Sequence, residues 1–281
     1  MHIDNICVCG AGTMGAGIAE VSATAGFDTV LYDVNPVILE KAKYSIERNL
    51  QGRLEKNKIT AEEQLKISQR IRFTGDYHDC KANVIIEAII ENYETKISLF
   101  NQLASFNGGQ TIFATNTSSL SVSIIGNKGL SPERFIGMHF FNPAPLMKLV
   151  EVVRAEKTSD EAVRIIVDLA RRFGKAPVVC RDSPGFIVNR VARPYYIESL
   201  RLLEETKMDL ALIDDLLEAT GFKMGPFRLM DLIGNDVNYA VSWSVYEQLN
   251  RPDRLRPSDV QKQKVDKGEL GRKTGKGYYQ Y

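Results

Sequence analysis

The 281-residue chain contains three histidines, and only one of them is set in apolar sequence. His2 lies close to the N-terminus, and His78 falls in Asp76-Tyr77-His78-Asp79, which reads as an exposed polar turn. His139 closes the apolar run Phe135-Ile136-Gly137-Met138-His139, and Glu151 stands inside the next run, Leu149-Val150-Glu151-Val152-Val153. An imidazole with a reference pKa of about 6.5 is suited to carry a proton at neutral pH when a neighbour fixes its orientation, and a carboxylate can do so. Taken alone, a histidine in an apolar stretch is more often a packed core residue. The rest of the sequence has to decide between the two.

The elements that would position this pair begin at the N-terminus. Asn5-Ile6-Cys7-Val8-Cys9 has the length and composition of a strand, Gly10-Ala11-Gly12-Thr13-Met14-Gly15 follows it, and a helical stretch runs from Ala16 to about Ala25. A lone GxGxxG is weak, but strand, glycine turn and helix together form the dinucleotide-binding pattern. Gly10 permits the tight turn, Gly12 lets the backbone approach a pyrophosphate, and Gly15 lets helix and strand pack closely. The next strand, Thr29-Val30-Leu31-Tyr32, ends at Asp33, placed to accept hydrogen bonds from a ribose diol. Its carboxylate would repel a 2′-phosphate, and no arginine follows directly, so NAD is expected over NADP.

Strand-like and helical segments then alternate as far as Ala176–Cys180, which predicts an α/β, doubly wound Rossmann-type parallel sheet domain over residues 1–183. Ligands in such sheets lie beyond the carboxyl ends of strands, a rule that favours Glu91, Asn116, Ser118 and His139. Residues 35–69 exceed the needs of one crossover helix and are rich in charge; they read as a solvated helix pair whose basic members could also meet a phosphate-bearing tail. Ser183-Pro184-Gly185 breaks the alternation, and residues 184–281 read as an all-α domain. Its first helix, Phe186 to Glu205, is expected to bend or restart at Arg193-Pro194. Asp209 to Ala219 is a second helix, Met230 to Leu249 a third, and the excess of apolar surface suggests a subunit interface.

Charge is nearly balanced, with 36 basic and 35 acidic residues, so no global field would draw the chain to nucleic acid or an anionic membrane. The four cysteines, Cys7, Cys9, Cys80 and Cys180, lack CxxC spacing and companion histidines, read as reduced packing residues, and give no reason to expect a metal. No leader and no membrane span is apparent, which predicts a cytoplasmic protein.

Across nearly its whole length the chain resembles the 3-hydroxyacyl-CoA dehydrogenases, particularly the short bacterial 3-hydroxybutyryl-CoA enzymes. The matching blocks are Gly10 to Gly17, Asn116-Thr117-Ser118-Ser119-Leu120, Gly137 to Glu151, Pro184 to Arg190, Met224-Gly225-Pro226 and Leu270 to Tyr278. The resemblance implies a catalytic dyad of His139 and Glu151, with Ser118 and Asn189 binding substrate. It places Glu91, Lys96 and Lys273 against NAD, Lys56 against the CoA, and Asn142 in the cleft beside the cofactor. Some relatives have Ser where Asn49 stands, so no CoA contact is assigned to Asn49. The implied reaction interconverts 3-hydroxyacyl-CoA and 3-oxoacyl-CoA in a homodimer joined through the helical domain. Met224-Gly225-Pro226-Phe227 and Leu229 to Asn238 also look like the branch that handles 3-hydroxyadipyl-CoA. A dehydrogenase of sugar acids and a non-catalytic NAD-binding protein are the competing readings.

Overall fold

The computed structural model describes residues 2–129 and 131–281 and divides into two compact units, Met1–Asp182 and Ser183–Tyr281. The first unit runs β1 (Asn5–Cys9), α1 (Thr13–Thr24), β2 (Asp28–Tyr32), α2 (Pro36–Glu55), α3 (Ala61–Gln69), β3 (Ile71–Thr74), β4 (Val84–Glu87), α4 (Tyr93–Ala104), β5 (Ile112–Thr115), α5 (Val122–Asn127), β6 (Phe135–Phe140), β7 (Leu149–Arg154), α6 (Asp160–Arg172) and β8 (Ala176–Arg181). The eight strands form one sheet in the order β3-β2-β1-β4-β5-β6-β7-β8. Strand order reverses between β1 and β4, which opens a crevice at their carboxyl ends. Strands β1, β4 and β5 are apolar on both faces over most of their length, with Asn5, Glu87 and Thr115 as the polar exceptions at their ends, and nearly every position is buried. That double burial is why they read as continuous apolar runs.

One strand departs from the expected parallel sheet. β7 runs antiparallel to β6. Only residues 141–148 join the two strands, and a parallel return takes about a dozen residues or more. β8 is again parallel to β7, with α6 as the crossover, and its outer position leaves Val178 and Val179 exposed. Residues 36–69 form the expected helix pair, α2 and α3, the second closed at its start by a reciprocal Thr60–Glu63 capping box.

The second unit is helical: α7 (Val188–Thr206), α8 (Leu210–Ala219), α9 (Pro226–Ile233), α10 (Asn235–Gln248) and α11 (Asp259–Asp266). Two sequence expectations fail here. Helix α7 does not restart at Arg193-Pro194 but continues through the proline. Beside that proline the buried Arg193 donates to the carbonyls of Asn189 (2.9 Å) and Asn238 (3.0 Å) and to Ser242 Oγ (2.9 Å), which ties the turn to α10. The stretch from Met230 to Leu249 is two helices rather than one, because Gly234 takes φ +103° between them.

Buried Asp231 and Asp214 organise this unit. Asp231 accepts from the backbone N–H groups of Tyr278 and Tyr279 at 2.9 Å, and Asp214 accepts from those of Phe227 (2.9 Å) and Arg228 (3.0 Å). A Cβ on Gly277 would stand 2.0 Å from Asp231 Oδ1, and one on Gly225 2.4 Å from the Asp214 side chain. The glycines of the two C-terminal sequence blocks therefore serve close packing onto these carboxylates.

Candidate active site

His139 lies near the carboxyl end of β6 and Glu151 in β7, directly opposite each other in the antiparallel register. Directly opposed residues share a face of the sheet, with Cβ atoms about 4.5–5.5 Å apart. The register thus puts the side chains within reach before any rotamer is chosen. His139 Nδ1 and Glu151 Oε2 are 2.7 Å apart, and both residues are buried. A slip of one residue would send one partner to the other face. The departure from parallel pairing is what creates the dyad. Asn116, just beyond β5, receives the Phe140 N–H on its Oδ1 at 2.9 Å and so fastens the end of β6.

Three strand steps separate β6 from β1, about 14 Å along the sheet edge at ~4.8 Å per step. At β1 the turn Gly10–Gly15 enters α1. Gly10 has φ +100°, and a Cβ there would lie 2.6 Å from the Ala88 carbonyl; a Cβ on Gly15 would lie 1.7 Å from the Gly10 carbonyl. Gly12 has φ −64° and nothing within 4 Å of a built Cβ. The protein itself requires Gly10 and Gly15, whereas the space beside Gly12 suits an incoming group. Helices α2 to α6 each carry a side-chain N-cap, but α1 has none and no acidic residue in its first turn. Its N-terminal N–H groups and dipole are left to an anion. Asp33 braces the turn, accepting from Ala11 N at 2.8 Å on one oxygen and Asn35 N at 2.9 Å on the other. The remaining lone pairs of this half-buried carboxylate can take ribose hydroxyls. The residues present therefore fit a dinucleotide.

Two glycine replacements should separate these roles. Gly12→Val is expected to fold with native thermal stability yet weaken NADH binding by about tenfold or more, at least ~1.4 kcal/mol in a fluorescence titration. Gly15→Ala should destabilise the fold by about 1–3 kcal/mol or more through overpacking, seen as a lower unfolding midpoint in urea. Equal NADH affinity for Gly12→Val and the parent would remove the ligand explanation for that glycine.

Between these two places, at the ends of β4 and β5, a carboxylate network supports Ser118. Glu91 Oε1 accepts from Thr117 Oγ1 (2.5 Å) and from the backbone N–H groups of Ser118 (3.0 Å) and Ser119 (3.2 Å). Its other oxygen is 3.2 Å from Lys96 Nζ. Lys96 is buried and also pairs with Glu87, whose second oxygen accepts from Thr115 Oγ1 at 2.7 Å. Burial pushes the Glu87 carboxyl above the usual carboxylate range, opposed by Lys96. Burial also acts on Glu91, but Lys96, Thr117 and the Ser118 N–H outweigh it and hold that carboxyl below the usual range. Residue type and strand-end position pointed to Glu91 and Ser118. Glu87 was missed, because a carboxylate closing an apolar strand gives no hint of a lysine in the following helix.

Asn142 is exposed and lines a cavity of about 340 Å³ with Gly12, Thr13, Lys41, Ser45 and Asn49, so the structure brings it to the glycine turn. Asn49 Nδ2 donates to the buried Glu20 at 3.0 Å. Lys56 is the exposed C-cap of α2. In the second unit, Asn189 is half-buried in the first turn of α7, and Lys273 lies 2.6 Å from Asp236.

A dinucleotide turn and a histidine–carboxylate pair on the carboxyl edge of one doubly wound sheet define a nicotinamide-dependent dehydrogenase. Residues 5–183 match the family model described as 3-hydroxyacyl-CoA dehydrogenase, NAD binding domain, and residues 185–281 match the C-terminal domain of the same family. The chain belongs to the 3-hydroxyacyl-CoA dehydrogenase family, and its first unit carries that family's NAD-binding domain. It is 45% identical over its full length to the 3-hydroxyadipyl-CoA dehydrogenase of Escherichia coli (strain K12), of which it spans 60%. It is 40% identical to the "Probable 3-hydroxybutyryl-CoA dehydrogenase" of Deinococcus radiodurans, with 98% of this chain and 99% of that protein covered. A solved (S)-3-hydroxybutyryl-CoA dehydrogenase from Ralstonia eutropha superposes with a TM-score of 0.95 at 35% identity, covering 100% of this chain and 99% of the other. Among the described residues no helix is long and apolar enough to cross a membrane.

Proposed function

We propose that the chain interconverts (S)-3-hydroxyacyl-CoA and 3-oxoacyl-CoA using NAD, with 3-hydroxybutyryl-CoA and acetoacetyl-CoA as the favoured pair. The observation that carries this reading is the 2.7 Å contact between His139 Nδ1 and Glu151 Oε2. With Glu151 holding Nδ1–H, proton exchange falls to Nε2, which takes the proton of the C3 hydroxyl as the alcohol is oxidised. Bound NAD supplies the acceptor for the hydride that leaves C3. Glu151 stabilises the imidazolium that forms, and donors from Ser118 and Asn189 hold the substrate oxygens. In reduction the same imidazolium returns the proton to the oxygen. Lys56, at the exposed C-cap of α2, is assigned to the CoA side. The test is NADH oxidation by purified protein with acetoacetyl-CoA. Tight NADH binding with no turnover of any acyl-CoA would reject the assignment and favour a non-catalytic role.

A second reading, action on 3-hydroxyadipyl-CoA, is favoured by the name of the 45%-identical E. coli relative. Rates on the four-carbon and six-carbon dicarboxylic thioesters should differ by at least about tenfold in kcat/KM, and the direction decides between them. The remainder of the reading is a homodimer in the cytoplasm. Exposed Leu232, Ile233, Val237 and Trp243 support an apolar interface on the helical unit. Light scattering checks it: a mass near the 31.5 kDa of one chain would refute the dimer.

A further inference from the structure

Cys7 and Cys9 alternate along β1, so their side chains share one face of the sheet, and Cys80 joins them from the segment before β4. All three are buried, and their sulfurs lie within 4.8 Å of one another, with Cys7 Sγ and Cys9 Sγ 3.8 Å apart. We propose that this trio is a binding site for one soft, three-coordinate metal ion of the copper(I) class. The 3.8 Å between Cys7 Sγ and Cys9 Sγ lets one ion lie at the ~2.3 Å of a metal–thiolate bond from both, with Cys80 Sγ within 4.8 Å of either sulfur to supply the third ligand. Cys80 lies outside the strands, so it can complete the triangle without disturbing the ladder. Zinc would need a fourth ligand, and among the described residues no His, Asp or Glu joins the group. Three sulfurs alone select a soft ion.

A disulfide within β1 is disfavoured, since alternate strand residues stand about 6.7 Å apart, at the upper limit of Cα separation for that bond. Entry is through residues 75–80, whose single 3-10 turn buries none of its residues and is held by Thr74–Asp79 and Arg72–Asp79 contacts.

The experiment uses the full chain carrying Cys180→Ser, titrated anaerobically with copper(I) against a chromophoric copper(I) chelator, followed by X-ray absorption. One equivalent should be retained, with three sulfur neighbours at about 2.2–2.3 Å, and retention should strengthen as pH rises because thiol protons are displaced. Adding Cys80→Ser or Cys9→Ser should weaken binding by at least about a hundredfold, beyond the 10–100-fold typical of outer-shell losses, with unchanged circular dichroism and NADH affinity. Complete transfer of copper to the chelator, two-sulfur coordination in the parent, or equal retention by the serine variants would overturn the site. The sulfur count on the parent stands even if a serine variant fails to fold.

Discussion

His139→Gln is expected to lower kcat for acetoacetyl-CoA reduction by about 10²–10⁴ while leaving NADH affinity within about twofold. Glutamine preserves a hydrogen-bond donor toward Glu151 but cannot carry a proton at neutral pH, so the lost rate reports proton transfer. Alanine is the poorer probe. It would remove a donor from a carboxylate that is 1% exposed, and part of any loss could then be instability. Glu151→Gln should cost about 10² through loss of imidazolium stabilisation and of the fixed tautomer. The double variant should be little worse than His139→Gln alone, since the carboxylate acts through the imidazole. Stopped-flow and steady-state NADH oxidation measure these values. Additive losses, or a His139→Gln enzyme near parental rate, would show that the proton goes elsewhere.

This prediction depends on a register that the sequence only half revealed. His139 and Glu151 were readable as a candidate pair from their types and apolar setting, but nothing in the local pattern announces antiparallel pairing. It follows from chain length, because residues 141–148 cannot return a parallel strand. Alternation was taken to mean parallel throughout, and one short connection overrode it. Asp33 shows a different limit. Its place after β2 marked it for a ribose, yet its hydrogen bonds to Ala11 N and Asn35 N give it a structural duty as well. The glycine turn could not by spacing alone show which glycines the fold itself demands; built Cβ contacts at Gly10 and Gly15, and their absence at Gly12, do so.

Distant partners were the least legible part. Cys80 reaches Cys7 and Cys9 because β4 pairs beside β1, and no cysteine spacing rule encodes strand order. In the helical unit, Gly225, Gly271 and Gly277 were recognised as blocks without a reason, and the reason is two buried aspartates far away in sequence. Pro194 and Gly234 depart from the sequence reading in opposite directions: the helix does not restart at the proline, and a stretch read as one helix, Met230 to Leu249, is divided at the glycine. Local propensity sets only a preference of a few kcal/mol, which tertiary hydrogen bonds such as those of Arg193 can override.

Lys96→Met is expected to be the most damaging change outside the dyad, lowering unfolding stability by about 3–5 kcal/mol, because it strips the cation from a buried pair and leaves Glu87 in a dry site. Glu87→Gln combined with Lys96→Met should recover most of that loss, since two neutral groups of similar size replace an unpaired charge. Glu91 supplies the pH signature. Its carboxyl is below its ordinary value near 4.5 in the folded chain, so its contribution is fully present above that value and is lost as pH falls through the lower folded one. Removing Lys96 takes away the largest influence lowering it, so the acid midpoint of unfolding should rise. With Glu91 held less firmly, the Ser118 and Ser119 N–H groups lose a fixed acceptor. The rescued double variant should then show a raised KM for acetoacetyl-CoA even though its stability is restored. Urea unfolding at several pH values, paired with kinetics, separates the two effects. Full recovery of KM along with stability would confine Lys96 to the core and deny it any part in positioning Ser118.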